Sequence, residues 1–570
     1  MSKSSSIRHL WDVGVPMRDG LRLSADIYLP PEEVEGPYPT ILQRTPYDNT
    51  MELWVKIATF FAEHGYTFVS QDVRGRHDSE GEWYPFFNEG PDGCDTVEWI
   101  AEQPWSNGKI GTMGGSYGGW FQWALACKRP PHLVTMVSTA AGGRFMQELP
   151  FVNGAVSLWT LAWLHLVGGR TVQWGTNPVV NWKEVFYHLP LKTMDQALGR
   201  TNTVWREWLS HPDLDDFWKR FRLDDDFEHI DLPVLHITGW YDGDQPGALY
   251  FYEGMVNHSP AADRQFILIG PWDHAGTRTP KQELGGLNFT PAAIVDMNKL
   301  HLRWFDYWLK GVDNGLLNDE RVRIFVMGDN KWRDEEDWPP KRAQMREFYL
   351  HSGGRANTLK GDGRLSTKAP TAEPPDEYTY NPENPVEVVT DWNLYGDTEE
   401  PLDKRFIERR DDVLVYTSEP LKEELEVCGR PFVTLYASSD CPDTDWAAML
   451  SDVYPDGRSI NLGQGVLRAR YRNSLGEAEL MIPGKVYKFT FELMSTCILF
   501  KPDHRLRLSI TSSAFPIYDR NPNTGHPIGE DAELRIAHHT IYHNNEYPSH
   551  VLLPVVPSPT STIPVNSRAP

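Results

Sequence analysis

Positive charge is in short supply. The 570 residues carry 55 Lys and Arg against 79 Asp and Glu, a formal net charge of −24. Nucleic acids and anionic membranes are bound through basic patches, so neither is an expected partner. Long apolar runs are missing too. No stretch reaches the roughly eighteen apolar residues of a membrane helix, and the polar start Met1-Ser2-Lys3-Ser4-Ser5-Ser6 is not followed by a signal-peptide core. Cysteine is scarce. Cys94, Cys127, Cys428, Cys441 and Cys497 are odd in number, scattered and without C-x-x-C spacing. They read as reduced thiols of a cytoplasmic protein. No Gly-rich phosphate loop or dinucleotide fingerprint is present, so no cofactor is expected. His538, His539 and His543 are close in sequence, but no carboxylate or cysteine stands at ligand spacing, and no metal is expected either.

What the chain does have is length and aromatic residues, with 22 Trp, 23 Tyr and 24 Phe. That size exceeds one ordinary core, and such a composition favours aromatic-lined pockets. Through residues 1–144, apolar strand segments (21–29, 39–45, 66–72, 107–115, 133–138) alternate with helical ones (53–64, 93–102). This rhythm implies a mostly parallel sheet covered on both faces. Residues 145–230 are Trp-rich and helical in pattern, as in 157–166 and 205–221, and read as an inserted cap. The sheet resumes over 231–344 with strands 232–241, 265–270 and 322–327 and a helix over 292–310. From 345 to 570 short apolar runs recur between turn residues, after a long connection around 355–400. That pattern reads as a β-sandwich of jelly-roll type.

Between a strand and a helix stands Gly114-Gly115-Ser116-Tyr117-Gly118, a G-x-S-x-G sequence in the context of a nucleophile elbow. So sharp a turn strains the serine backbone and brings chain close enough to exclude side chains at Gly114 and Gly118. It also presents the hydroxyl at a helix N-terminus, where developing negative charge is favoured.

A serine nucleophile needs a base, and a carboxylate to orient that base. In α/β-hydrolases these follow in the order Ser, acid, His, on loops after strands. Asp242 ends the 232–241 strand and His274 follows the 265–270 strand. Asp244 and Asp273 are rival acids, although Asp273 adjoins His274 in one tight turn. His236, inside a strand, reads as a core residue.

The segments Arg44-Thr45-Pro46-Tyr47, Asp72-Val73-Arg74-Gly75, Ser79-Glu80-Gly81-Glu82, Gly114–Gly118, Gly239-Trp240-Tyr241-Asp242-Gly243 and Gly270-Pro271-Trp272-Asp273-His274 occur in order. Together they resemble the cocaine-esterase/glutaryl-acylase family, which is related to X-Pro dipeptidyl-peptidases and α-amino-acid ester hydrolases. The resemblance covers nearly the whole chain. It implies an α/β-hydrolase core with an inserted helical cap and a C-terminal jelly roll, acting as a serine hydrolase on an ester or amide of a small to medium molecule. It further implies Ser116, Asp242 and His274 as triad, and an oxyanion hole from the Tyr117 N–H and the Tyr47 hydroxyl. Arg74 and Asp72 are expected to brace the neighbouring loop.

Phe151, Trp159, Trp163 and Trp240 are candidate walls of the acyl pocket, although Trp at helical spacing also suits a cap core. Relatives that hydrolyse α-amino-acid esters hold the substrate ammonium with carboxylates. Here Asp244 stands at one such position, Gln245 at the next, and Glu148 is a candidate contribution from the cap. The larger X-Pro dipeptidyl-peptidases carry an extra N-terminal helical domain, for which this chain has no room. A catalytically inactive carbohydrate-binding protein is the reading from another class. Relatives often form oligomers, so homo-oligomer contacts through the sandwich are expected.

Overall fold

In the computed structural model, which describes residues 6–175, 179–392 and 400–557, the apolar segments of the first part assemble into one ten-stranded sheet. Its strands are β1 (Arg8–Pro16), β2 (Arg22–Leu29), β3 (Tyr38–Thr45), β4 (Thr67–Asp72), β5 (Ser106–Gly115), β6 (Leu133–Thr139), β7 (Val234–Tyr241), β8 (Gln265–Asp273), β9 (Val322–Val326) and β10 (Lys331–Glu335). They lie in the order β1-β2-β4-β3-β5-β6-β7-β8-β9-β10. Every neighbour pair from β4 to β9 is parallel, and antiparallel strands flank them on both sides. β3, β4 and β7 are buried along their whole length, as strands covered on both faces must be.

Helices α1 (Glu52–Glu63), α2 (Glu89–Ala101) and α3 (Tyr117–Ala126) connect the early strands. α4 (Trp159–Val167) belongs to the insertion between β6 and β7, and α5 (Gln245–His258) and α6 (Met297–Lys310) follow β7 and β8. Trp123 of α3 stacks on Phe251 of α5 at 4.5 Å on one face of the sheet. Phe61 of α1 meets Phe305 of α6 edge-on at 5.8 Å on the other. α6 starts at Met297, not near 292, because the Asp296 carboxylate accepts from the Lys299 N–H and Pro291–Ala293 forms a separate turn.

The insertion packs Trp182, Trp205, Trp208 and Trp218 into a core continuous with that beneath α3. The helix expected over 205–221 is two short ones, Thr203–Leu209 and Asp216–Lys219. Asp215 caps the second through the Phe217 N–H at 2.9 Å.

The C-terminal part is β-rich. Thirteen strands between Gln344 and Val556 pair almost entirely antiparallel, and their apolar core runs on into residues of the first sheet such as Trp240, Ile267 and Ile324. The segment around 355–400 is not a bare connection, since Arg364–Ser366 and Asp376–Tyr380 pair into this sheet. The expectation of five free thiols is overturned as well. Cys428 and Cys497 face each other across an antiparallel pair, Cα atoms 4.0 Å apart, and are joined as a disulfide. Strand register brings together residues 69 positions apart, which spacing along the chain does not reveal. Only Cys94, Cys127 and Cys441 remain thiols, so the cysteine argument for a reducing compartment loses its footing. No helix of the described residues is long and apolar enough to cross a membrane.

Candidate active site

The turn between β5 and α3 holds Ser116 at φ 62°, ψ −126°, a strained conformation for a residue with a side chain. Backbone bonds hold it there. The Ser116 N–H donates to the Thr139 carbonyl at 3.0 Å, and its carbonyl accepts from Gly119 and Trp120. A Cβ at Gly114 would come within 2.6 Å of the Gly118 carbonyl oxygen. Gly118 itself is not sterically required, since a Cβ there meets only the Arg44 carbonyl at 3.5 Å. Gly119 is the tight position, 2.6 Å from the Thr139 carbonyl. The Tyr117 ring points away from the turn into the core. Its hydroxyl donates to buried Glu89 at 2.8 Å, and Glu89 pairs with buried Arg44 at 2.7 Å.

β7 and β8 end on the same side of the sheet as β5 and deliver Asp242 and His274. His274 Nδ1 lies 2.7 Å from Asp242 Oδ1 and 3.8 Å from Asp244 Oδ2. The Asp242 carboxylate is fully buried and also accepts from the Thr238 hydroxyl at 2.8 Å and the Asp244 N–H at 3.0 Å. Burial pushes this carboxyl up, but His274 and these donors outweigh it and hold it below the usual aspartate range. Of the rival acids, Asp273 instead accepts the Gly276 N–H at 2.6 Å, closing the turn after His274. His236 packs in the core against Gln265, as a strand histidine should.

A cavity of about 80 Å³ opens over these residues. Ser116 and His274 line it with Tyr47, Tyr117, Trp159, Trp163 and Asp244. Phe86, Trp120 and Leu149 complete its apolar wall. None of these three carries a sequence signal, because they converge from separate elements. Tyr47 follows β3, and its phenol accepts a hydrogen bond from the Trp163 indole N–H at 2.9 Å. The three tryptophans named from the sequence separate here. Trp159 and Trp163 of α4 face the cavity. Trp240 does not. It is buried against Trp338, donates to the Phe325 carbonyl at 2.7 Å and borders a second cavity, because β7 side chains alternate between the sheet's faces. Phe151 is buried against Trp218 and lines neither cavity.

The second cavity, about 150 Å³, lies between cap, core and β-rich part and shares Trp159 and Gly243 with the first. Glu148 borders it. Its carboxylate is taken up by the N–H groups of Gly143, Arg144 and Gly247 at 2.7–3.0 Å, and burial pushes its pKa up to about 7. Gln245 is equally committed, to the carbonyls of Gly239, Trp240 and Ser495. His538, His539 and His543 point to separate partners, Thr379, Thr444 and Asp376. Glu426 lies beside Cys428 and Cys497, but the two sulfurs are bonded to each other.

Arg74 pairs with Asp92 and Asp19, each at 2.6 Å, and buried Asp72 accepts the Asn49 N–H at 2.9 Å just beyond Tyr47. Burial pushes the Asp72 carboxyl up to about 8, and its Oδ2 has no partner among the described residues. A folded-state pKa raised above the unfolded value means the unfolded chain releases this proton first. Asp72 therefore adds stability below the ordinary aspartate range and loses it as pH rises towards 8. Asp72→Asn, which mimics the protonated acid, is expected to flatten this dependence. Urea midpoints measured from pH 4 to pH 8 check it, and parallel curves for the two proteins would refute it.

Residues 19–276 match the X-Pro dipeptidyl-peptidase (S15) family, and residues 314–552 match the X-Pro dipeptidyl-peptidase C-terminal non-catalytic domain. The chain is 34% identical to a cocaine esterase of Rhodococcus sp. (strain MB1 Bresler), over 96% of this chain and 98% of that one. Among solved structures it is similar to an α-amino acid ester hydrolase, with TM-score 0.86 and 27% identity over 97% of this chain and 98% of that one. An aminopeptidase from the marine sediment archaeon Thaumarchaeota archaeon gives TM-score 0.86 and 26% identity over 98% and 97%.

Proposed function

Because this chain belongs to the X-Pro dipeptidyl-peptidase (S15) family and is a serine hydrolase, we propose that it cleaves an ester or amide of a small to medium molecule through an acyl-enzyme on Ser116. The observation that carries this reading is the Asp242–His274 hydrogen bond opening on the cavity that also holds Ser116 and Tyr47. His274 Nε2 takes the Ser116 proton as Oγ attacks the carbonyl carbon. Asp242 fixes the tautomer by accepting from Nδ1. The Tyr117 N–H and the Tyr47 hydroxyl receive the developing oxyanion. The C–O or C–N bond then breaks, the leaving group takes the proton from Nε2, and water attacks the acyl-enzyme by the reverse sequence. We read the C-terminal strands as a jelly roll that backs the second cavity.

The cavity walls favour a neutral, aromatic or otherwise apolar acyl group. Asp244 is the one carboxylate among the described residues lining the cavity over Ser116; Glu148 borders the second cavity and is taken up by backbone donors, and Gln245 is uncharged. Asp244 also supports a second reading, an α-amino acyl group held through its ammonium. Paired p-nitrophenyl esters and anilides, with and without an α-amino group and with Ser116→Ala as blank, separate the two. The neutral acyl group is expected to give at least about tenfold higher kcat/KM, a difference of 1.4 kcal/mol. The reverse preference would assign Asp244 to ammonium binding.

A further inference from the structure

Trp163 does more than wall the cavity. An indole N–H donates and cannot accept, so in its 2.9 Å contact with the Tyr47 phenol the oxygen is the acceptor. The phenol has one proton, and the Trp163 contact leaves that proton to be given elsewhere. The Tyr47 hydroxyl belongs to a residue that lines the same cavity as Ser116, beside the proposed reacting centre. We infer that Trp163 is a positioning residue: from the cap it occupies the acceptor side of the Tyr47 hydroxyl and commits the phenolic proton to the substrate's oxyanion. This rests on the oxyanion role proposed above for Tyr47.

The indole is held firmly enough for the task. Its ring stacks on Phe86 and Tyr117 at 5.9 and 6.1 Å and meets Trp83 edge-on at 5.8 Å. The other end of α4 is tied to the same loop. Buried Arg76 donates from Nε to the Pro46 carbonyl at 2.9 Å, and from Nη1 to the Val167 carbonyl at 2.6 Å and to that of Gly169. Its guanidinium lies over Trp83 at 5.1 Å. One cap helix thus grips the Tyr47 loop by its backbone through Arg76 and by its hydroxyl through Trp163. The cap and the oxyanion hole form one mechanical unit.

A double-mutant cycle on a p-nitrophenyl ester tests this. Tyr47→Phe is expected to lower kcat about 100-fold or more. Trp163→Phe, which keeps an aromatic side chain and removes the N–H, is expected to lower kcat about tenfold with KM within about twofold. In the Tyr47→Phe background Trp163→Phe should cost little further kcat, because the lost N–H acts through the phenol and an aromatic wall remains. Trp163→His, which keeps an N–H at the same ring position, should recover most of the loss. Unchanged kcat in Trp163→Phe, or an undiminished loss in the double variant, would overturn the inference while leaving Tyr47 in place. Full activity in Tyr47→Phe would instead remove Tyr47 from the mechanism proposed above.

Discussion

Ser116→Ala is expected to lower turnover by about 10⁵-fold and to leave the fold unchanged. The size of the loss follows from the serine's place in the reaction. Without Oγ there is no acyl-enzyme, and the oxyanion donors, substrate binding and the Asp242–His274 pair can assist only direct attack by water. The fold is spared because the interactions that hold the turn are made by the Ser116 backbone, to Thr139, Gly119 and Trp120. Alanine inherits the same positive φ, so the strain is neither relieved nor increased. Rapid-quench mass spectrometry with a slow ester should show one acyl adduct on Ser116 in the native enzyme and none in the variant. Substantial residual turnover, or an adduct on another residue, would dismiss Ser116 as nucleophile.

Asp242→Asn is expected to lower kcat by about 10⁴-fold, whereas Asp244→Asn should stay within a few-fold on neutral esters. The two carboxylates stand two residues apart, but Asp242 Oδ1 is 2.7 Å from His274 Nδ1 and Asp244 Oδ2 is 3.8 Å away. Asparagine at 242 can turn its amide towards Nδ1, which then has to accept. The ring proton moves to Nε2, the nitrogen that must take the serine proton. Because the folded-state pKa of Asp242 lies below the usual range, it stays ionised across neutral pH. Its own titration should not shape the activity profile there. The pair of variants assayed on one neutral ester decides the matter. A larger loss in Asp244→Asn would make Asp244 the orienting acid.

Much of the site was legible because strand-end chemistry is local. Ser116 stood between an extended run and a helical one, and Asp242 and His274 followed apolar strands in the order the mechanism needs. The fold places all three around one end of the parallel sheet. Other readings depended on distances that no local pattern contains. Trp163 and Trp240 look alike in sequence, yet one faces the cavity and the other lies between β7 and the β-rich part. Glu148 reads as a free cap carboxylate until three backbone N–H groups are found converging on it.

By itself, then, the chain's sequence determined the alternation of strands and helices, the elbow and the order of its chemical groups. These depend on residues within a few positions of one another, where periodicity, glycine and turn chemistry act. Tertiary structure alone decided which acid meets His274, which aromatics enclose Ser116, that Cys428 meets Cys497, and that the cap reaches Tyr47 through Trp163. Each of these is a contact between distant segments, set by strand register and by how the insertion settles on the sheet.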